Sequence, residues 1–286
     1  MSSPAAPARS RTAVYALTAL VMAAFAANSL LARLALTTTD VDAATFVVLR
    51  LVSGALMLAL VLRLRRGTMG GSWASGLALF VYAAAFTFAY RTLPAGTGAF
   101  FSFGAIQLTM IGWGIARGER PSVVQAVGML VAIGGLVYLL LPGLAAPPLG
   151  SAALMATAGV AWGVYSLRGR GATDPTGETA GNFARAAVPA VLLSLVAAEL
   201  AGGAHLDGLG FLYAVLSGAV TSGLGYVLWY AVLPSLRATS AATVQLAVPV
   251  LTALGGVVLL GESVTLRLAV AAVAVLGGIA LVLRSR

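Results

Sequence analysis

An all-α membrane protein, with ten spanning helices in two inverted five-helix repeats, is what this sequence predicts, and three observations carry that prediction. Of 286 residues, 60% are hydrophobic and only 9% are charged, whereas a water-soluble domain carries about a quarter of its residues as charges. The apolar residues fall in runs of about 20, the length that crosses one bilayer core as a helix. The second half of the chain also repeats motifs of the first. Nothing alternates apolar and polar residues as a barrel strand would, so helices must satisfy the backbone within lipid.

Short polar or Pro/Gly clusters separate the spans. The first, 12–36, follows Arg9 and Arg11. Its Ala24-Phe25-Ala26 has the look of a secretory cleavage site, but the apolar run continues to Leu36, so the span is read as retained. The second, 42–63, lies between Asp40 and the basic group Arg63, Arg65 and Arg66; the third, 72–91, ends at Arg91. The fourth, 96–117, follows Leu93-Pro94, and the fifth, 122–141, follows Pro121. The sixth, 150–170, begins after Pro147-Pro148, and the seventh, 178–200, after Asp174-Pro175. The eighth, 208–230, follows Asp207; the ninth, 237–260, runs to Gly261-Glu262, and the tenth is 264–283. The organisation is a tail over 1–11, a first repeat over 12–141, a linker over 142–149 and a second repeat over 150–286.

There are no lysines, so all 17 basic residues are arginines, and the formal net charge is +9. With the N-terminus in the cytoplasm, Arg9, Arg11, Arg63, Arg65, Arg66, Arg117, Arg120, Arg168, Arg170, Arg237, Arg284 and Arg286 fall on the cytoplasmic side. That asymmetry in short loops predicts both termini cytoplasmic, in a bacterial inner membrane. It also accounts for the basic balance without nucleic acid. With no cysteine, no lysine and only His205 among histidines, thiolate nucleophiles, Schiff bases and Cys/His metal sites are excluded. The expectation is no enzyme, no cofactor and no metal.

Comparing the chain with itself exposes the repeat. Gly118-Glu119 matches Gly261-Glu262, and Gly134-Gly135 matches Gly277-Gly278, at an offset of 143. Tyr90 and Leu93-Pro94 match Tyr230 and Leu233-Pro234 at 140, Phe25 and Ser29 face Trp162 and Ser166 at 137, and Arg50 faces Arg185 at 135. Five spans is an odd number, so the second copy enters the membrane in the opposite sense. Such halves can exchange conformations around a midplane site, which gives alternating access.

On these residues, and above all on the stretch Ala238 to Glu262 (ATSAATVQLAVPVLTALGGVVLLGE), the chain resembles the drug/metabolite transporter superfamily in its ten-helix EamA-type branch. The first half carries a weaker version, from Gly96 through Gln107 to Gly118-Glu119, with Ile106 where the second copy has Pro249. Within that branch the aromatic-rich spans are similar to the YddG-type aromatic amino-acid exporters. The resemblance implies efflux of small metabolites through a central cavity lined mainly by the third, fourth, eighth and ninth helices, with the first and sixth.

Read from the residues themselves, the fourth span places Phe100, Phe103, Gln107 and Met110 on one helical face. In the ninth, Gln245 lies four residues before Pro249, whose missing N–H leaves a carbonyl free. Gln107 and Gln245 are therefore candidates to hydrogen-bond a zwitterion, with interhelical packing as the competing reading. Tyr82 and Phe86 in the third span, set against Ser222 and Tyr226 in the eighth, form candidate cavity walls. Asn28 pairs with Tyr165, Ser29 with Ser166 and Phe25 with Trp162 across the repeats, and Asn28, Trp162, Tyr165 and Ser166 join the substrate-binding set. Arg50 and Arg185 are intramembrane cations for which a substrate carboxylate is one partner. Snorkelling or holding helix-end carbonyls is the expected use. Gly54 and Pro189 correspond across the repeats and are candidate hinges. Gly128/Ala132 and Ala274/Gly278 allow close helix approach within a monomer.

All eight acids lie in loops or near span ends, so no central proton-relay carboxylate is expected, and uniport or exchange follows. Amino acids, aromatic or large and neutral, fit as substrate. A nucleotide-sugar or other metabolite carrier is the alternative, and a channel or structural subunit is the competing class. The remaining expected partner is the lipid bilayer.

Overall fold

The computed structural model describes residues 11–118, 122–141, 146–169, 172–232, 245 and 247–284. Every regular element among them is helical. In chain order these are α1 Arg11–Thr38, α2 Ala43–Leu64, α3 Trp73–Ala89, α4 Ala95–Ala116, α5 Val123–Leu140, α6 Leu149–Arg168, α7 Pro175–Ala201, α8 Gly208–Val232, α9 Ala247–Leu260 and α10 Leu266–Arg284. The middle of α8, Leu216–Leu224, is π-helical. Five of these rods, α1, α2, α4, α7 and α8, are long and apolar enough to cross a membrane, and α3, α5, α9 and α10 are shorter apolar helices. The early part of the ninth expected span, with Arg237 and Leu233-Pro234, lies outside the described residues, as do Glu119 to Pro121, Arg170 and the first ten residues.

Side-chain caps set the helix starts, because the first backbone N–H groups of a helix have no partner inside it. Asp42 receives Thr45 N at 2.9 Å to begin α2, Ser72 receives Ser75 N at 3.2 Å to begin α3, and Asp207 receives Gly210 N at 2.8 Å to begin α8. Ser122 and Gln125 form a capping box at α5. α4 starts after Pro94 with no cap from its own residues. Its Ala95 N instead donates to Glu262 Oε2, 2.7 Å away in the loop after α9.

The main packing partners are α2 with α7, α5 with α10, α3 with α6 and α7, α4 with α6, α1 with α8 and α9, and α2 with α8. Exchanging α1–α5 for α6–α10 maps this set onto itself, the signature of a two-fold relation between the halves. The loops reciprocate too. Asp42 caps α2 and accepts from His205 N, 3.0 Å away in the loop leaving α7. Asp174 caps α7 and pairs with Arg65 in the loop leaving α2. Burial raises both carboxyl pKa values, but hydrogen bonds from Thr45 and the His205 backbone at Asp42, and from Arg65 and Gly177 at Asp174, outweigh it and leave both lowered. α5 meets α10 through small residues: a Cβ at Gly278 would lie 2.4 Å from Gly128 O.

The interior combines a large apolar core with a set of buried polar side chains, and the outer surface carries many exposed apolar ones. Asn28, Arg50, Gln107, Ser217, Thr221 and Ser222 are buried, while Leu130, Leu192, Leu195, Val258 and Val273 are exposed. That suits lipid as the surrounding solvent.

Candidate functional site

A cavity lies between the two halves. α1 contributes Phe25, Asn28 and Ser29; α3 contributes Tyr82 and Phe86; and α4 contributes Ala99, Ser102, Phe103 and Ile106. Trp162 of α6, Thr221, Ser222 and Tyr226 of α8, and Gln245 complete the lining. The space open to water-sized spheres is about 40 Å³, room for roughly three waters. A cargo the size of an amino acid enters this conformation only if side chains or helices move.

Aromatic rings dominate the walls. Trp162 lies centrally, its ring 4.8 Å from Tyr82 and 5.1 Å from Tyr226, both tilted. Phe25 meets Tyr226 edge-on at 5.9 Å, and Tyr82 meets Phe86 at 5.3 Å. Such contacts hold the rings in defined orientations and present a surface on which a planar or branched apolar group can stack.

The polar lining is organised by the π-helical segment of α8. Ser217 Oγ donates to Asn28 Oδ1 at 2.7 Å, and Thr221 Oγ1 lies 3.3 Å from the same oxygen. With its oxygen engaged, the Asn28 amide group has its N–H donors left to offer. π-Helical turns are common at functional sites because they re-aim side chains. Here the distortion includes a close approach of α8 to α2: a Cβ at Gly218 would lie 2.0 Å from Arg50 O. Only glycine leaves room for that approach.

Arg50 sits directly behind this lining. It is 2% exposed. One guanidinium nitrogen, Nη2, donates to Tyr82 Oη at 3.3 Å and Ser222 Oγ at 3.4 Å, while the guanidinium carbon lies 5.2 Å and 5.1 Å from the Tyr82 and Phe86 ring centres. Nε and Nη1 make no hydrogen bond. Arg185, its repeat mate, donates through Nη1 to Gly70 O at 2.7 Å and Gly181 O at 2.9 Å. Holding carbonyls was the expected use, and Arg185 does so; Arg50 neither snorkels nor holds carbonyls.

Of the expected site residues, Asn28, Tyr82, Phe86, Phe103, Trp162, Ser222, Tyr226 and Gln245 come together around the cavity. Phe100, Gln107, Tyr165, Ser166 and Pro249 are not in its lining. On α4 the lining face is Ala99, Ser102, Phe103 and Ile106, which shares Phe103 with the expected face and is turned from it by about 70°. The other side of α4 is committed to α6, where Gly159 lets Ser102 O and Ala105 approach. Gln107 and Phe100 are buried. Tyr165 is placed with Thr179 and Asn182 of α7. Gly54 has a packing reason for being glycine: a Cβ there would lie 2.5 Å from Cε1 of Phe183. Sequence reasoning missed Ser102, Thr221, and the Ala99 and Ile106 surfaces. The hydroxyl-and-glycine run Ser217-Gly218 to Thr221-Ser222-Gly223 was the available signal for Thr221.

At one end of the bundle, α1 is tied to two other segments. Arg33 Nε pairs with Glu262 Oε1 at 3.2 Å, and Arg33 Nη1 donates to Tyr90 O at 2.8 Å. Glu262 thus joins α1, the loop after α9 and the start of α4.

Comparison with known proteins agrees with this architecture. A family model described as the EamA-like transporter family matches residues 149–284, the second repeat. The uncharacterized protein PA1977 of Pseudomonas aeruginosa is 55% identical over 273 residues, covering 94% of each chain. A protein crystal structure at 20% identity superposes with a TM-score of 0.67, covering 96% of this chain and 98% of that one, and it shows a shared fold. Residues 149–284 form an EamA-like transporter domain of the drug/metabolite transporter superfamily.

Proposed function

Given a multi-pass membrane transporter of the EamA family, we propose that the chain exports amino acids, aromatic or large and neutral, across a bacterial inner membrane by alternating access at the central cavity. The observation that carries the reading is the cavity itself: six aromatic side chains on five helices from both halves line it together with the amides of Asn28 and Gln245. An apolar side chain stacks on the rings while the polar end of the substrate meets those donors. The units that move are residues 12–141 and 150–286, with Gly54 and Pro189 as the positions where α2 and α7 bend. Both termini face the cytoplasm, as the arginine distribution indicates. The protomer works alone.

Among the described residues no carboxylate lines the cavity, which supports uniport or exchange rather than proton coupling. Counterflow in proteoliposomes preloaded with an amino-acid panel tests the reading. Saturable exchange of aromatic or large neutral amino acids, weakened by Asn28→Ala and Gln245→Ala more than by Gln107→Ala, is expected. Flux that does not saturate would indicate a channel, and no exchange from folded protein would move the substrate to another metabolite class.

A further inference from the structure

We propose that the Tyr82 and Ser222 hydroxyls, polarised by Arg50 behind them, receive an anionic group on the cargo, so that the cavity selects an apolar or aromatic body bearing one carboxylate and does not require an ammonium. This rests on reading the cavity as the cargo site and deepens it to the group recognised.

Arg50 is a cation removed from water and from lipid headgroups alike. A buried charge is costly unless it is paired and hydrogen-bonded. Among the described residues the ion pairs are Arg33 with Glu262 and Arg65 with Asp174; no carboxylate pairs with Arg50. Two of its three nitrogens make no hydrogen bond, and two aromatic faces are its other neighbours. Cation–π contact offsets part of the desolvation, but it leaves the donors unused. Arg185 differs in what it engages: its Nη1 donates to two backbone carbonyls, Gly70 O and Gly181 O, whereas Arg50 meets only side-chain hydroxyls that line the cavity.

The direction of the two hydrogen bonds that Arg50 does make tells where an anion would bind. A guanidinium only donates, so Tyr82 Oη and Ser222 Oγ act as acceptors toward it. Each hydroxyl then has its own proton to give to something else. Tyr82 and Ser222 both line the cavity. An oxygen of the cargo near them would receive two hydroxyl donors polarised by the charge behind, an arrangement that favours a carboxylate over a neutral amide. Because the described residues of the lining include no acid, a cargo ammonium gains no counter-charge from them.

Equilibrium dialysis of the purified full chain in detergent, with radiolabelled phenylacetate as probe and phenylacetamide and phenethylamine as competitors, tests this. Saturable phenylacetate binding is expected, with both competitors weaker by about tenfold or more. Arg50→Gln is expected to remove the preference for the carboxylate, again by about tenfold or more. Tyr82→Phe, which keeps the ring, is expected to weaken phenylacetate by about threefold. Should Arg50→Gln fail to fold, Tyr82→Phe and Ser222→Ala carry the same test. No phenylacetate binding, equal binding of the amide, or unchanged selectivity in these variants overturns the proposal. Selective phenylacetate binding without amino-acid counterflow would leave the anion site standing and remove amino acids as the cargo; amino-acid counterflow with no carboxylate preference would do the reverse.

Discussion

Arg50 and Arg185 occupy matching positions in the two repeats, each embedded in the second helix of its half, and their surroundings have diverged. Arg185 reaches out of α7 to Gly70 O and back to Gly181 O, so it fastens the α2–α3 loop. Arg50 stays inside, against Tyr82 and Phe86, with two nitrogens unused. The same side chain serves as a fastener where loop carbonyls are in reach and as an open charge where aromatic rings and hydroxyls replace them. Both repeats carry the cation, and the acceptors within its reach decide its use.

The largest expected effect comes from disturbing the contact that encloses Arg50. Gly218→Ala places a methyl 2.0 Å from Arg50 O, which forces α8 from α2 and costs about 3 kcal/mol. A lowered melting temperature in detergent and lost transport would be seen together. Next, Arg185→Ala removes two charge-assisted hydrogen bonds and costs about 2 kcal/mol, read as a lower melting temperature with phenylacetate affinity retained. Arg50→Met has the opposite signature. Replacing an unpaired buried charge with an apolar side chain is neutral or stabilising by about 1 kcal/mol, while transport is lost. If both arginine variants destabilised equally, the contrast between them would fail.

The smallest effect concerns the matched caps. Asp42 and Asp174 both titrate below the ordinary aspartate value of 3.8. Their contribution to stability is complete above that value and is lost as pH falls through their lowered values. Melting temperature followed from neutral pH down through this range should fall, and the fall should flatten when both are changed to Asn.

The helices were legible in the sequence because hydropathy runs and arginine punctuation report directly on the bilayer. The correspondence between the halves was legible in part, through offsets that equate Phe25 with Trp162 and Tyr82 with Ser222, all four of which line the cavity. The face of α4 was not. That helix is apolar nearly all round, so a 3.6-residue period does not distinguish the Ala99–Ile106 face from the Phe100–Gln107 face. The α8 distortion was hidden for another reason: π-helical turns arise from tertiary contact, here the approach of Gly218 to α2, and small residues alone do not announce it. Glu262 capping α4 is a contact across 167 residues, which no local pattern encodes. Arg50 and Arg185 looked alike because their difference lies entirely in what other segments bring to them.

The native chain has no cysteine, so single-cysteine accessibility gives the most direct test of the central cavity as the transport path. Phe103→Cys and Gln107→Cys would each be exposed in sealed vesicles to a membrane-impermeant thiol reagent, added from one side and then from the other. Phe103→Cys is predicted to react from both sides, with protection by substrate, and Gln107→Cys to stay unlabelled. Labelling of Gln107→Cys with none at Phe103→Cys, in folded protein, would contradict the account.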